Sequence, residues 1–199
     1  MARRQQGEDT RNRIIEAAAD LFHRDGIHAV SVDDVLAASG TGKSQMYHYF
    51  RSKDDLVLAV AERLRDGAKG SPLAIPIDSW EGVEAWLRVH VTAMAGCDFA
   101  RGCPVGTLAY ARPEDHEALR TPISATYNIQ RASLIAFFES RLSTVKDSPW
   151  DAQALATLCL ATIQGSMILA RSDGSAEAME QSIDSLLKLL KGALGEDRL

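Results

Sequence analysis

The chain has 199 residues, 46% hydrophobic and 25% charged, with a net charge of −5. That length fits one or two small domains with a real core, and the balance is that of a soluble globular protein. No apolar run reaches the length a membrane helix requires, and the charged start "MARRQQGEDTRNR" has no apolar stretch behind it, so a membrane span and a secretory signal are excluded and a cytoplasmic location is expected.

Strand signals are nearly absent, and helical periodicity runs along the whole chain. Ile14, Ala18, Leu21 and Phe22 share one face, predicting an amphipathic helix over about 10–25 with Gly26 as its stop. Ser31 opens a second helix, with Asp34 three residues on as a capping-box partner and Val32, Val35 and Leu36 turned inward. Gly40 ends it. Ala37 and Ala38 are small enough to let a neighbouring helix approach. A third short helix starts near Lys43, and Ser52 caps a fourth that carries Leu56, Val60 and Leu64. The segment "GAKGSPLAIPIDSW" is rich in breakers and reads as a connection. Further helices are expected over about 79–97, 104–110, 113–143, 149–171 and 175–192. Pro104, Pro113 and Pro149 stand in likely first turns, where a missing N–H costs nothing.

Two short helices joined by the tight turn "SGTG" have the shape of a helix-turn-helix. On the second of them Met46 and Phe50, four apart, face the core. Gln45 and Tyr49 form one outer stripe, and Lys43 and Tyr47 form another. Charge supports this placing. Residues 1–65 hold ten Lys/Arg and ten Asp/Glu, so the whole −5 comes from the rest of the chain, and Arg3, Arg4, Arg11, Arg13, Lys43, Arg51 and Lys53 leave the first part a local basic face.

The stretches "IIEAAADLFHRDGIHAVSVDDVLAASG" and "YHYFRSKDDL" resemble the TetR family of transcriptional repressors, over about residues 11–60. The resemblance implies an all-α protein: a three-helix DNA-binding domain over 1–66 and a larger helical domain over 67–199 that binds an effector and dimerises. By position, Lys43, Ser44 and Gln45 would meet base edges, and Tyr47, Tyr49 and Lys53 would hold phosphates. Ser31, at a helix start, would offer N–H groups to a phosphate. His48 points outward by spacing, although the family usually packs this position. Gly42 replaces the family's frequent Ser or Thr cap, and Gln45 replaces a smaller residue.

A unit this small reads few bases, so a homodimer on two half-sites of double-stranded operator DNA is expected. The last two helices suit that interface, through Leu158, Gly165, Met179, Ile183, Leu186 and Leu190. An effector pocket is expected among Trp86, His90, Met94, Cys103, Thr107, Tyr110, Tyr127, Phe137, Gln164 and Met167, a mixture of apolar walls and a few polar heads. "RGCPVGTLA" resembles the effector domain of the LmrA/YxaF type, which implies a drug-like or flat aromatic small molecule. The expected function is a repressor released from its operator by that molecule.

Pro104 as a first helical residue puts Cys103 at the N-cap, where a thiolate gains from the helix dipole. This gives the alternative of a thiol- or electrophile-sensing repressor. Three cysteines in a reducing compartment predict no disulfide framework. Cys97, Cys103, His90 and His116 lack zinc spacing, so no metal and no cofactor are expected. "GTGKS" lacks the preceding strand and the first Gly of a P-loop, and a Cys–His pair is the only enzyme-like option, so no catalysis is expected.

Overall fold

The computed structural model describes residues 2–110, 117–145 and 148–196, with side chains from Gly7 onward. Nine α-helices are present among them, and no strand: α1 (Ala2–Asp25), α2 (Val32–Ser39), α3 (Lys43–Tyr49), α4 (Lys53–Ala68), α5 (Trp80–Ala95), α6 (Pro104–Tyr110), α7 (Glu117–Leu142), α8 (Ala152–Asp173) and α9 (Glu177–Ala193). Pro72–Ala74 forms one 3-10 turn. The all-α expectation holds. Contacts divide the chain into a first unit of residues 1–66 and 103–125 and a second of residues 67–102 and 126–199.

The first unit closes on Ile14, Ala18 and Phe22 of α1, Val35 of α2, Met46 of α3, Phe50, and Leu56 and Val60 of α4. Leu108 of α6 and Leu119 of α7 join the same core. That is why this unit takes in 103–125 as well as the expected 1–66: two leucines far along the chain find their apolar partners there. Helix α1 begins eight residues earlier than expected, because its polar first turns carry no apolar period to read. A Cβ on Gly7 would stand 3.3 Å from the Tyr49 hydroxyl, so those turns run close past α3.

Local chemistry sets the helix ends. Gly26 (φ 84°) and Gly40 (φ 63°) take the left-handed conformation that costs least without a Cβ. The Ser31 hydroxyl accepts the Asp34 N–H (3.2 Å), and the Asp34 carboxylate accepts the Ser31 N–H (2.7 Å) and hydroxyl (2.6 Å). These bonds, and Lys53 nearby, hold the Asp34 carboxyl below its ordinary value. A carboxyl depressed on folding contributes stability above its unfolded value, near 3.9, and loses it as pH falls through the folded value. Ser31→Ala is expected to cost about 1 kcal/mol and to shrink this acid-side loss, checked by thermal unfolding from pH 2 to 7.

Ala37 and Ala38 are exposed, so helix approach does not depend on them. The cap of α8 is Asp151, whose carboxylate accepts the Ala154 N–H at 2.8 Å, and Pro149 lies before it. Pro113 and His116 fall outside the described residues.

The second unit packs α5, α8 and α9 with the latter part of α7. Met179, Ile183, Leu186 and Leu190 of α9 are buried, and α9 packs on α8 and α5, which bury Leu155, Cys159 and Ile163 and Val83 and Leu87 respectively. Trp80 packs edge-on against Phe137 (5.2 Å) and Phe138 (6.5 Å), with Lys191 over its ring and its indole N–H donating to Glu196. Arg88 ties α5 to α9 through Glu180 and Asp184 while also holding Glu84. Helix α8 meets the length and composition of a membrane-crossing helix, with mean hydropathy 1.5 over 18 residues, 44% of which are buried. Thr157, Thr162, Gln164 and Ser166 break up its apolar run, which hides this from a run count.

Candidate nucleic-acid interface

Helix α3 is pinned from beneath by Met46 and Phe50, both buried, as expected. Lys43, Ser44, Gln45, Tyr47 and His48 are then left exposed on one seven-residue helix. The clamp works because residues four apart share a face. His48 faces solvent, with its ring edge-on to Tyr49 at 4.8 Å. Tyr49 is half-buried against the core rather than standing on an outer stripe. Its neighbours Phe50 and Gly7 account for the difference.

Four of the expected DNA contacts have partners inside the protein. Lys43 lies 3.9 Å from Asp33 with both side chains well exposed, a pair that water screens and that a phosphate or base can replace. The Gln45 side-chain carbonyl accepts the Gly42 N–H at 3.1 Å. Gln45 thus supplies the returning half of a capping box, the half that a Ser or Thr side chain at 42 would add being absent, and its amide NH2 is the end left to reach a base. Lys53 donates to the Ile27 carbonyl, 26 residues away, which makes it a tie between α4 and the turn before α2. Ser31 has its hydroxyl and N–H engaged by Asp34, and that carboxylate occupies the helix start a phosphate would need. Arg11, whose guanidinium stacks over Phe50 at 5.5 Å, was not among the expected contacts. It is exposed and adds a cation to the underside of α3.

A short helix bearing lysine, serine, glutamine, tyrosine and histidine has the donor and acceptor set of a groove reader. Comparison with known families decides which kind. The family model for bacterial regulatory proteins of the tetR family matches residues 14–60, and that for the LmrA/YxaF-like transcriptional regulator C-terminal domain matches residues 79–184.

The chain belongs to the TetR family.

Relatives agree. A Lactococcus lactis HTH-type transcriptional regulator from the lacX 3′ region is 27% identical over 94% of this chain and 96% of its own. LmrA of Bacillus subtilis is 25% identical over 81% and 86%, and the transcriptional repressor ComR of Escherichia coli is 26% identical over 90% and 88%. A TetR-family regulator from Agrobacterium tumefaciens has the same fold, with a TM-score of 0.78 at 24% identity over 92% of this chain and 97% of that one. Homologues and fold are those of transcriptional regulators, not enzymes.

TetR-family regulators typically dimerise and bind a small molecule, and the second unit has features suited to each. Of the six residues expected at a dimer interface, Met179, Ile183, Leu186 and Leu190 are spent inside their own chain: they are the stripe by which α9 packs on α8 and α5. Leu158 and Gly165 are exposed, together with Ala161, Ile168 (54%) and Leu169 (52%) on α8 and Leu189 (68%) on α9. The α8 face that carries Leu158 and Gly165, the two interface residues expected on that helix, is the open one.

The expected pocket residues differ in burial. Met94, Phe137 and Met167 are core. Tyr110 is 79% exposed, and Cys103, Thr107, Tyr127 and Gln164 are half-buried. Thr107 donates to the Cys103 carbonyl at 3.1 Å, and Cys103 sulfur accepts the Gly106 N–H at 3.4 Å, so the thiol does serve as a cap. Cys97 is half-buried near the Met94 carbonyl, and Cys159 is buried, its thiol pushed up to about 12 by burial. A groove of about 300 Å³ lies between the segment 72–77 and α5, lined by Pro72, Ile75, Pro76, Ile77, Gly82, Ala85, Trp86 and Val89. Of the ten expected residues it uses Trp86, whose indole N–H donates to the Leu73 carbonyl at 3.1 Å and whose ring meets His90 edge-on at 5.0 Å. His90 is buried, which lowers its pKa, and its Nδ1 lies 3.0 Å from the Trp86 carbonyl and 3.3 Å from that of Leu87. Two carbonyl acceptors place the proton of the neutral ring on Nδ1, which makes Nε2 an acceptor. Sequence reasoning missed Thr126, Gln130, Ser133 and Ser166, all buried in this unit. Thr126, Gln130 and Ser133 fall at i, i+4 and i+7, a spacing that would have put them on the inward face of α7.

Proposed function

We propose that this TetR-family protein is a cytoplasmic repressor that binds operator DNA as a dimer and lets go when a small molecule binds its second unit. The exposed face of α3 carries the reading. Lys43, Gln45 and Tyr47 project from a helix held rigid by Met46 and Phe50, which is what base recognition needs. The dimer sets two such helices at half-sites one helical turn, about 34 Å, apart, or a multiple of it. A ligand that favours a mismatched spacing shifts the population off DNA by its difference in affinity for the two forms.

A gel-shift titration on the gene's own upstream DNA at low salt tests this. Lys43→Ala is expected to cost about 1–3 kcal/mol on that DNA and little on unrelated DNA. Equal losses on both would make Lys43 a phosphate contact, and no shift by the natural protein would remove the repressor reading. The thiol-sensing alternative rests on the Cys103 cap. Serine caps as well as cysteine, so Cys103→Ser is expected to keep fold and DNA binding. An oxidant that releases the natural protein but not this variant would establish the sensor.

A further inference from the structure

Gln45 is exposed on α3, and the two ends of its amide have different duties. Its carbonyl accepts the Gly42 N–H at 3.1 Å, three residues back at the start of the helix. A backbone N–H can only donate, so this partner fixes which end of the amide is oxygen. Gly42 has no side chain to cap the helix, and the first turn draws on Gln45 instead. Among the described residues the amide NH2 donates to no protein group. A glutamine that reads adenine does so with both ends of the amide on one base edge: the oxygen accepts from N6 and the NH2 donates to N7. Here the oxygen is directed at the protein's own backbone. Turning the amide over would set its NH2 against the Gly42 N–H, donor against donor. What Gln45 has left to present is a pair of donor hydrogens. In the major groove, guanine alone shows two acceptors side by side, N7 and O6. Adenine sets a donor beside its N7, cytosine offers a donor, and the thymine O4 lies beside a methyl group.

We infer that Gln45 is a specificity-determining residue that reads guanine through its NH2 while its carbonyl stays on the Gly42 N–H. This rests on the operator reading and adds the base and the atom that reads it. The capping bond is thus part of the recognition: it holds the amide in the one orientation that favours guanine over adenine.

Selection of binding sites from random-sequence duplexes, by the full-length protein and by its Gln45→Glu and Gln45→Leu variants, tests this. The natural protein is expected to enrich guanine at one position of each half-site. Changing that guanine to adenine in one half-site is expected to weaken binding about 10-fold. Gln45→Glu keeps the capping bond, since a carboxylate also accepts the Gly42 N–H, but it turns an acceptor outward. This variant is expected to bind all DNA more weakly and to enrich cytosine at that position alone, by accepting from the cytosine N4. Gln45→Leu is expected to lose the preference at that position and keep the rest of the site, which decides the matter if Gln45→Glu binds too weakly to select. Adenine or thymine at the position that answers to residue 45, or no position that changes in either variant, overturns the inference and leaves the operator reading standing. A natural protein that enriches no sequence overturns the operator reading and the inference with it.

Discussion

Ile168→Glu is expected to convert the dimer to monomers and to weaken operator binding by about 10²–10⁴-fold, the factor that joining two half-site contacts supplies. Leu158, Ala161, Gly165 and Ile168 recur at three and four residues along α8, and all are exposed. Leu169 beside them and Leu189 on α9 widen the apolar area. A glutamate on this face has to be desolvated to dimerise, and pairing with Arg171, three residues on, returns only about 0.2–0.5 kcal/mol of that cost. Sedimentation and operator titration of the same sample check it together. A variant that remains a dimer places the interface elsewhere. Leu186→Glu makes the contrast: Leu186 is 3% exposed within its own chain, so this change is expected to unfold the second unit rather than to split a dimer.

Met46→Ala is expected to destabilise the first unit by about 2–5 kcal/mol and to abolish operator binding with it. Met46 is fully buried in the core that α1, α2 and α4 also line, and α3 has only seven residues, too few to hold itself helical in water. Its order therefore comes from Met46 and Phe50. Tyr47→Phe, one residue on, is expected to leave stability unchanged and to reduce DNA affinity alone. Denaturant unfolding beside a gel shift separates the two effects. A Met46→Ala protein of natural stability would mean that α3 is held by something other than its buried face.

The parts legible in the sequence were those in which one residue type has one physical use. Gly26 and Gly40 marked helix ends because a positive φ favours them, and Ser31 with Asp34 marked a helix start. Met46 and Phe50 faced inward because residues four apart share a helix face. Partners remote in sequence were not legible. Nothing in "YHYFRSKDDL" indicates that Lys53 reaches the Ile27 carbonyl or that Gly7 crowds Tyr49. Periodicity also cannot tell a face buried by its own chain from one buried by a second copy. Hence Met179, Ile183, Leu186 and Leu190, with the strongest repeat, proved internal, while the flatter pattern of α8 left the open face. Among the expected pocket residues, Trp86, His90, Met94, Phe137 and Met167 are buried, since a large apolar side chain fills a core as readily as it lines a pocket. The polar stripe of α7 was overlooked because Thr, Gln and Ser read as surface until burial is known.

The most direct test of the account is a footprint of the full-length protein on its own upstream DNA. The account predicts two symmetric protected half-sites, centred about 10 base pairs or a multiple of that apart, both lost together in Ile168→Glu. Protection of a single asymmetric stretch, unchanged in that variant, would contradict it.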